Sequence, residues 1–155
     1  MEGSPVASAD VAADLAGISL FADLSPAQLE KVASSFEEQW FQSDERALRE
    51  GFVGSNFYVI LSGEALWMMG GEAVDRTATM MVGTKPLALK RGDFFGELSL
   101  LFDEPSISDV VATTPLHCLA LPGDELKPFL LANPQIMYRV LEAEARRLRD
   151  PMRWR

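Results

Sequence analysis

With 155 residues, 48% of them apolar, the chain is long enough for one domain with a real hydrophobic core and leaves no room for a second effector domain. A net charge of -9 excludes the basic footprint of a nucleic-acid interface. The lone Cys118 excludes an intrachain disulfide, the first residues lack a basic, apolar secretory leader, and no run of about eighteen apolar residues could span a bilayer. The expectation is a soluble cytoplasmic protein with neither nucleic-acid nor membrane partners.

Residues 1–10 are small, polar and proline-containing and read as a flexible arm ahead of a domain over residues 11–150, with a basic tail at 151–155. Val11 to Leu24 has near-helical apolar spacing interrupted at Gly17. Ser25 as N-cap and Pro26 at the first helical position then start a helix whose apolar face is Leu29, Val32, Ala33 and Phe36. From Glu38 the period becomes that of strands. Trp40-Phe41 and Ala47-Leu48 flank a polar turn at Ser43 to Glu45, Asn56 to Leu61 reads NFYVIL, and Ser62-Gly63 turns the chain into Glu64 to Met69. Gly70-Gly71 predicts another hairpin turn, with a return strand over Met80 to Leu89 broken at Pro86. Strands at Val110 to Ala112 and Leu116 to Leu121 follow. Helices then start at Pro122-Gly123-Asp124 and at Asn133-Pro134, the last running to Asp150-Pro151 with Ile136, Val140, Leu141, Ala145 and Leu148 at helical spacing. Short strands between turn signals, flanked by helices, argue an α+β, mainly β protein built as a closed or double-sheet β-roll.

The most informative stretch is Arg91 to Ala112, RGDFFGELSLLFDEPSISDVVA. A turn at Gly92-Asp93 leads through two aromatics to Gly96, which permits close backbone approach, and then to a short helix whose first N–H groups lack internal partners. This stretch resembles the phosphate-binding cassette of cyclic nucleotide-binding domains, the family of bacterial catabolite activator proteins, kinase A regulatory subunits and cyclic-nucleotide-gated channels. Glu50-Gly51, Phe57 to Ile60 and Ser62-Gly63-Glu64 are similar to that family's β-roll, and Leu20-Phe21 with Leu24-Ser25 to its N-terminal helical segment. The resemblance implies a jelly-roll-like β-roll with N-terminal helices, a short cassette helix and C-terminal helices. It also implies ligand positions at Phe95, Gly96, Glu97, Leu98, Ser99, Ser106 and Ile107, with Glu97 on the ribose hydroxyl.

The family's cassette carries an arginine straight after the proline, to neutralise the cyclic phosphate. Here Ser106 follows Pro105, Ile107 stands where a small residue is usual, and Asp109 adds a negative charge. Truncating one member of a buried charge pair costs roughly 2–5 kcal/mol. The expectation is therefore a non-catalytic regulatory or assembly module in which binding of cAMP or cGMP is weak or lost and no cofactor is held. A protein partner or self-association as a homodimer carries its function, with a small-molecule ligand possible. The alternative is a genuine sensor in which another cation, from Arg46, Arg49, Arg76, Lys85, Lys90 or Arg91, replaces the arginine and the C-terminal helix signals to a partner. Arg146, Arg147, Arg149, Arg153 and Arg155 concentrate positive charge at the end of an acidic chain, and Arg146, Arg149, Arg153 and Trp154 are the candidates for partner contact. His117 and Cys118, adjacent in a strand, point to opposite faces. Core packing is the preferred reading over a metal site or a hydrolase using His117 as base.

Overall fold

The structure, a computed structural model, describes residues 9–69 and 86–149. Helix α1 (Ala9–Leu15) starts inside the stretch expected to be a flexible arm, and its end near Gly17 leads to a short 3-10 turn, Ser19–Phe21. Helix α2 (Pro26–Ala33) has the expected start. Ser25 Oγ accepts the Gln28 N–H at 3.2 Å and Gln28 Oε1 accepts the Ser25 N–H at 2.8 Å, a reciprocal cap that satisfies two exposed donors. Leu29, Val32, Ala33 and Phe36 are all buried.

Among the described residues eight strands follow: β1 (Glu37–Phe41), β2 (Arg46–Leu48), β3 (Asn56–Ser62), β4 (Ala65–Met69), β5 (Leu87–Leu89), β6 (Phe94–Phe95), β7 (Ser108–Ala112) and β8 (Leu116–Pro122). Helix α3 (Glu97–Phe102) lies between β6 and β7, and α4 (Gly123–Ala132) and α5 (Pro134–Arg149) close the described chain. The strands form two antiparallel four-stranded sheets, ordered β1-β8-β3-β6 and β2-β7-β4-β5. The double-sheet form of the β-roll is thus the one adopted; among the described residues no ladder closes the sheets into a barrel. The polar turn after β1 and the turn at Ser62-Gly63 do not make hairpins, because each passes the chain from one sheet to the other. The expected turn at Gly70-Gly71 and the return strand before Pro86 lie outside the described residues.

Side-chain alternation explains the layers. Phe57, Val59 and Leu61 of β3 face a helical layer with Leu119 and Leu121, while Tyr58 and Ile60 face the second sheet with Cys118 and Ala120. Being buried on both faces, β3 reads as a continuous apolar run rather than an alternating one. Phe94 and Phe95 divide in the same way, one to each core. The last helix departs from expectation. Ile136 and Val140 are buried, but Leu141 and Leu148, expected on the same face, are exposed, Leu148 at 79%.

Candidate functional site

The cassette is a rigid corner. Gly96 sits at φ +94°, and a Cβ there would lie 2.6 Å from the Asn56 carbonyl oxygen, so the backbone of β3 and the start of α3 touch at a point only glycine allows. Ser99 Oγ accepts the Gly54 N–H at 3.1 Å and donates to the Glu104 carbonyl at 2.5 Å, tying α3 to the loop after β2. Across that loop the Ser106 N–H donates to Phe52 O and the Gly51 N–H to Ser106 O, each at 2.8 Å.

Phe95, Gly96, Glu97, Leu98, Ser99, Ser106 and Ile107 line one cavity, together with Leu48, Trp67, Ser108 and Arg147. The sequence positions therefore converge, but on a space of about 20 Å3, enough for about one water. The Ser106 hydroxyl is engaged in its own chain, donating to Ser108 O at 2.8 Å and accepting the Ser108 N–H at 3.2 Å. Ile107 is 51% exposed, so it is not the side chain that fills the corner. Asp109 is buried but turned elsewhere: it accepts the Glu50 N–H at 2.7 Å and faces Arg46 Nε at 3.8 Å, outside the cavity lining.

The group that enters the cavity is Arg147, from the last turn of α5. Its Nη1 lies 3.5 Å from Glu97 Oε2 and 3.3 Å from Glu144 Oε1, its Nη2 donates to Phe94 O at 3.4 Å, and its guanidinium sits 5.1 Å from the Phe94 ring centroid. The other cations considered for this role are placed differently. Arg46 faces Asp109, Arg49 lines a separate groove beside β2, and Arg91 donates to Leu61 O and Asp14 O at 3.1 and 2.8 Å. Lys90 is exposed and does not line the cavity. Arg76 and Lys85 lie outside the described residues. The sequence reading grouped Arg147 with the basic cluster but did not join it to Glu97. Its position one helical turn beyond Ala143, on the inward row of α5, was the available signal.

Glu97 is buried, and desolvation pushes its carboxyl well above the usual range; the neighbouring Glu144 carboxyl raises it further and the Arg147 guanidinium pulls it back. Protonation of Glu97 removes the repulsion from Glu144 and offers a donor to Glu144 Oε2, which otherwise lacks a hydrogen-bond partner in this buried corner. The folded chain holds this proton more tightly than the unfolded one. Stability therefore falls as pH rises from the unfolded value near 4.5 to the higher folded value, and levels beyond it. Glu97→Gln, which keeps an amide donor toward Glu144, is expected to flatten this decline. Thermal melts across pH check it: the variant should gain on the unmodified chain as pH rises through that interval, and curves that stay parallel within it would contradict the assignment.

Of the partner-contact candidates, Arg146 and Arg149 are exposed on α5, while Arg153 and Trp154 lie outside the described residues. His117 is not in the core. It stacks on exposed Trp40 at 4.7 Å between centroids, with Nε2 2.8 Å from Glu38 Oε1. Cys118 is fully buried, and burial pushes its thiol up to about 12, which leaves it unreactive. Among the described residues there is no cluster of three or more metal-ligating side chains, and no helix is long and apolar enough to cross a membrane.

Comparison with known proteins follows the same lines. Residues 38–133 match the family model of the cyclic nucleotide-binding domain. The cAMP-dependent protein kinase regulatory subunit of Hypocrea atroviridis is 34% identical over 104 residues, which is 67% of this chain and 20% of that protein. The cGMP-dependent protein kinase of Eimeria tenella is 30% identical over 132 residues, 84% of this chain and 12% of that protein. The chain thus spans only a fifth or less of either relative. Among solved structures, the Thermus thermophilus catabolite activator protein superposes with a TM-score of 0.70 at 24% identity, covering 84% of this chain and 58% of that one, a likeness of fold.

Proposed function

The chain belongs to the cyclic nucleotide-binding domain family, and we propose that within it this chain is a non-catalytic regulatory module that acts through protein contact, its cassette weak or silent toward cAMP and cGMP. The observation that carries this reading is Arg147 against Glu97 in a cavity of about 20 Å3. Glu97, the residue that the resemblance assigns to the ribose, is occupied by the chain's own helix. Ser106, where the phosphate's arginine is expected, is bonded to Ser108. Small-molecule sites run to ~300–1,000 Å3, so a nucleotide must first move α5 away.

Two exposed apolar surfaces support the protein-contact half. Phe52, Val53, Leu101, Phe102 and Ile107 surround the cassette corner, and all are exposed, Phe102 at 67%. The loop that carries Phe52 and Val53 is tied to the cassette by the bonds of Ser106 to Gly51 and Phe52. On α5, Tyr138, Leu141, Ala145 and Leu148 are exposed at three- and four-residue spacing, a seam suited to another helix, from a second copy or from a different protein. Of the two relatives, one is a kinase regulatory subunit by name and the other a protein kinase, and a kinase-type protein partner fits that resemblance.

A second reading has an observation of its own. Arg147 is a cation inside the cassette cavity, and in a genuine sensor it could turn from Glu97 to the cyclic phosphate. One calorimetric series separates the two. The unmodified chain is expected to give no saturable heat with cAMP or cGMP below about 1 mM, and Arg147→Ala is expected not to weaken whatever binding exists. Low-micromolar binding abolished by Arg147→Ala would establish the sensor instead. Sedimentation of the same samples reads the seam: monomer at all concentrations assigns it to a different protein.

A further inference from the structure

The face of Arg147 away from Glu97 borders a much larger space, a cleft of about 340 Å3 between the Ser19–Phe21 turn, the Gly92–Phe94 turn and α5. Buried Leu20 and Leu89 form its floor, and Ala143 leaves room in the middle of the helix wall. Arg146, Arg147 and Arg149 line that wall, in a chain whose net charge is -9. Arg139, also on it, is committed elsewhere: its guanidinium grips the Asp23 carboxylate through two bonds of 2.8 and 2.9 Å and pins α5 to the N-terminal turn.

Arg146 and Arg149 are loosely engaged. Arg146 is 68% exposed, with a 3.5 Å contact to Glu142, a surface pair of the kind worth little. Arg149 has no ion-pair partner among the described residues. The acid on the cleft lining, Asp93, is drawn into its own turn, accepting the Lys90 N–H at 2.9 Å. What the cleft offers is therefore guanidinium forks over an apolar floor, in the volume range of small-molecule sites.

We propose that this cleft binds a small, multiply charged oxyanion, held by Arg146 and Arg149 with Arg147 behind them. Planar guanidinium groups match phosphoryl and carboxylate oxygens in pairs, and several negative charges on one compact ligand are needed to overcome the repulsion of an acidic protein. Because Arg147 also serves Glu97, a bound anion competes for it and loosens the cassette corner. That link rests on the reading of Arg147 given above; the anion site itself does not.

The test is titration of the 15N-labelled full chain with pyrophosphate and, separately, citrate at low ionic strength, where screening is least. The expected result is saturable movement of the Ser19, Gly92 and Ala143 amide signals, and an affinity at least about tenfold lower in the Arg146→Ala/Arg149→Ala double variant. Both replaced side chains are exposed, so the fold should be retained, and charge reversal in Arg146→Glu should lower affinity further. Saturation by pyrophosphate alone assigns the phosphoryl class and by citrate alone the carboxylate class, and either supports the site. No saturation with either anion, an unchanged double variant, or signals moving chiefly around Arg46 and Arg49 would overturn it. Nucleotide affinity is measured separately, so failure here does not reflect on the cassette.

Discussion

Ser106→Arg is expected to raise affinity for cAMP by roughly thirtyfold to a few thousandfold over the unmodified chain, the range set by restoring one member of a buried charge pair worth roughly 2–5 kcal/mol. The position is well placed for it. Ser106 is buried, its backbone is fixed on both sides by the bonds to Gly51 and Phe52, and its side chain lines the same cavity as Glu97. A second guanidinium in that cavity also repels Arg147 and so favours the outward movement of α5 that the proposed reading requires for a nucleotide to enter. Without ligand the variant should be less stable, because a buried cation has no full partner, and cAMP should restore its melting temperature in proportion to ligand excess. Ser106→Lys should gain less, since an ammonium cannot make the paired contact. Calorimetry on the three proteins decides: equal affinity for all would mean that an arginine at position 106 does not govern nucleotide affinity in this cassette.

Gly96→Ala is expected to lower stability by about 2–4 kcal/mol, the sum of an unfavourable positive φ and a backbone overlap that no side-chain rotation relieves. The added Cβ would meet Asn56 O at 2.6 Å, and the atoms behind it, Asn56 C and Phe57 Cα, are also backbone, so β3 or α3 must shift. Denaturant unfolding should show a lower midpoint with an unchanged slope. A loss below about 0.5 kcal/mol, the ordinary range for surface substitutions, would show that the corner yields more easily than its geometry implies.

The elements that were legible in the sequence are those whose cause is local. Ser25-Pro26 carries its own capping chemistry, and the aromatic and β-branched run of β3 is what burial on both faces demands. The cassette could be read because Gly96, Glu97 and Pro105 fall at short, fixed spacing in one stretch of chain. What could not be read depends on distant packing. Both the row Ile136, Val140, Ala143, Arg147 and the row Tyr138, Leu141, Ala145, Leu148 fit a helical period, and the second is the more apolar. Only the placement of α5 against the Ser19–Phe21 turn, with Arg139 clamped to Asp23, decides that the first row faces inward. That choice delivers Arg147 to Glu97 across 50 residues of sequence. Asp109 is a similar case. Strand alternation alone leaves its direction open, and it is the Glu50 N–H that turns its carboxylate from the cassette.

The sheet order also governs how the chain can come together. β1 stands at an edge and pairs with β8, Glu37 opposite Ala120, while β2 pairs with β7, Arg46 opposite Val111. On a ribosome the first strands therefore emerge long before the partners they require, and no sheet containing them can form until most of the domain has left the exit tunnel. Folding of this roll is expected to require a long search between distant segments, in the slow class of non-local β topologies. Until then the reciprocal cap of α2, whose partners are three residues apart, is the kind of contact open to the chain, while the strands must wait.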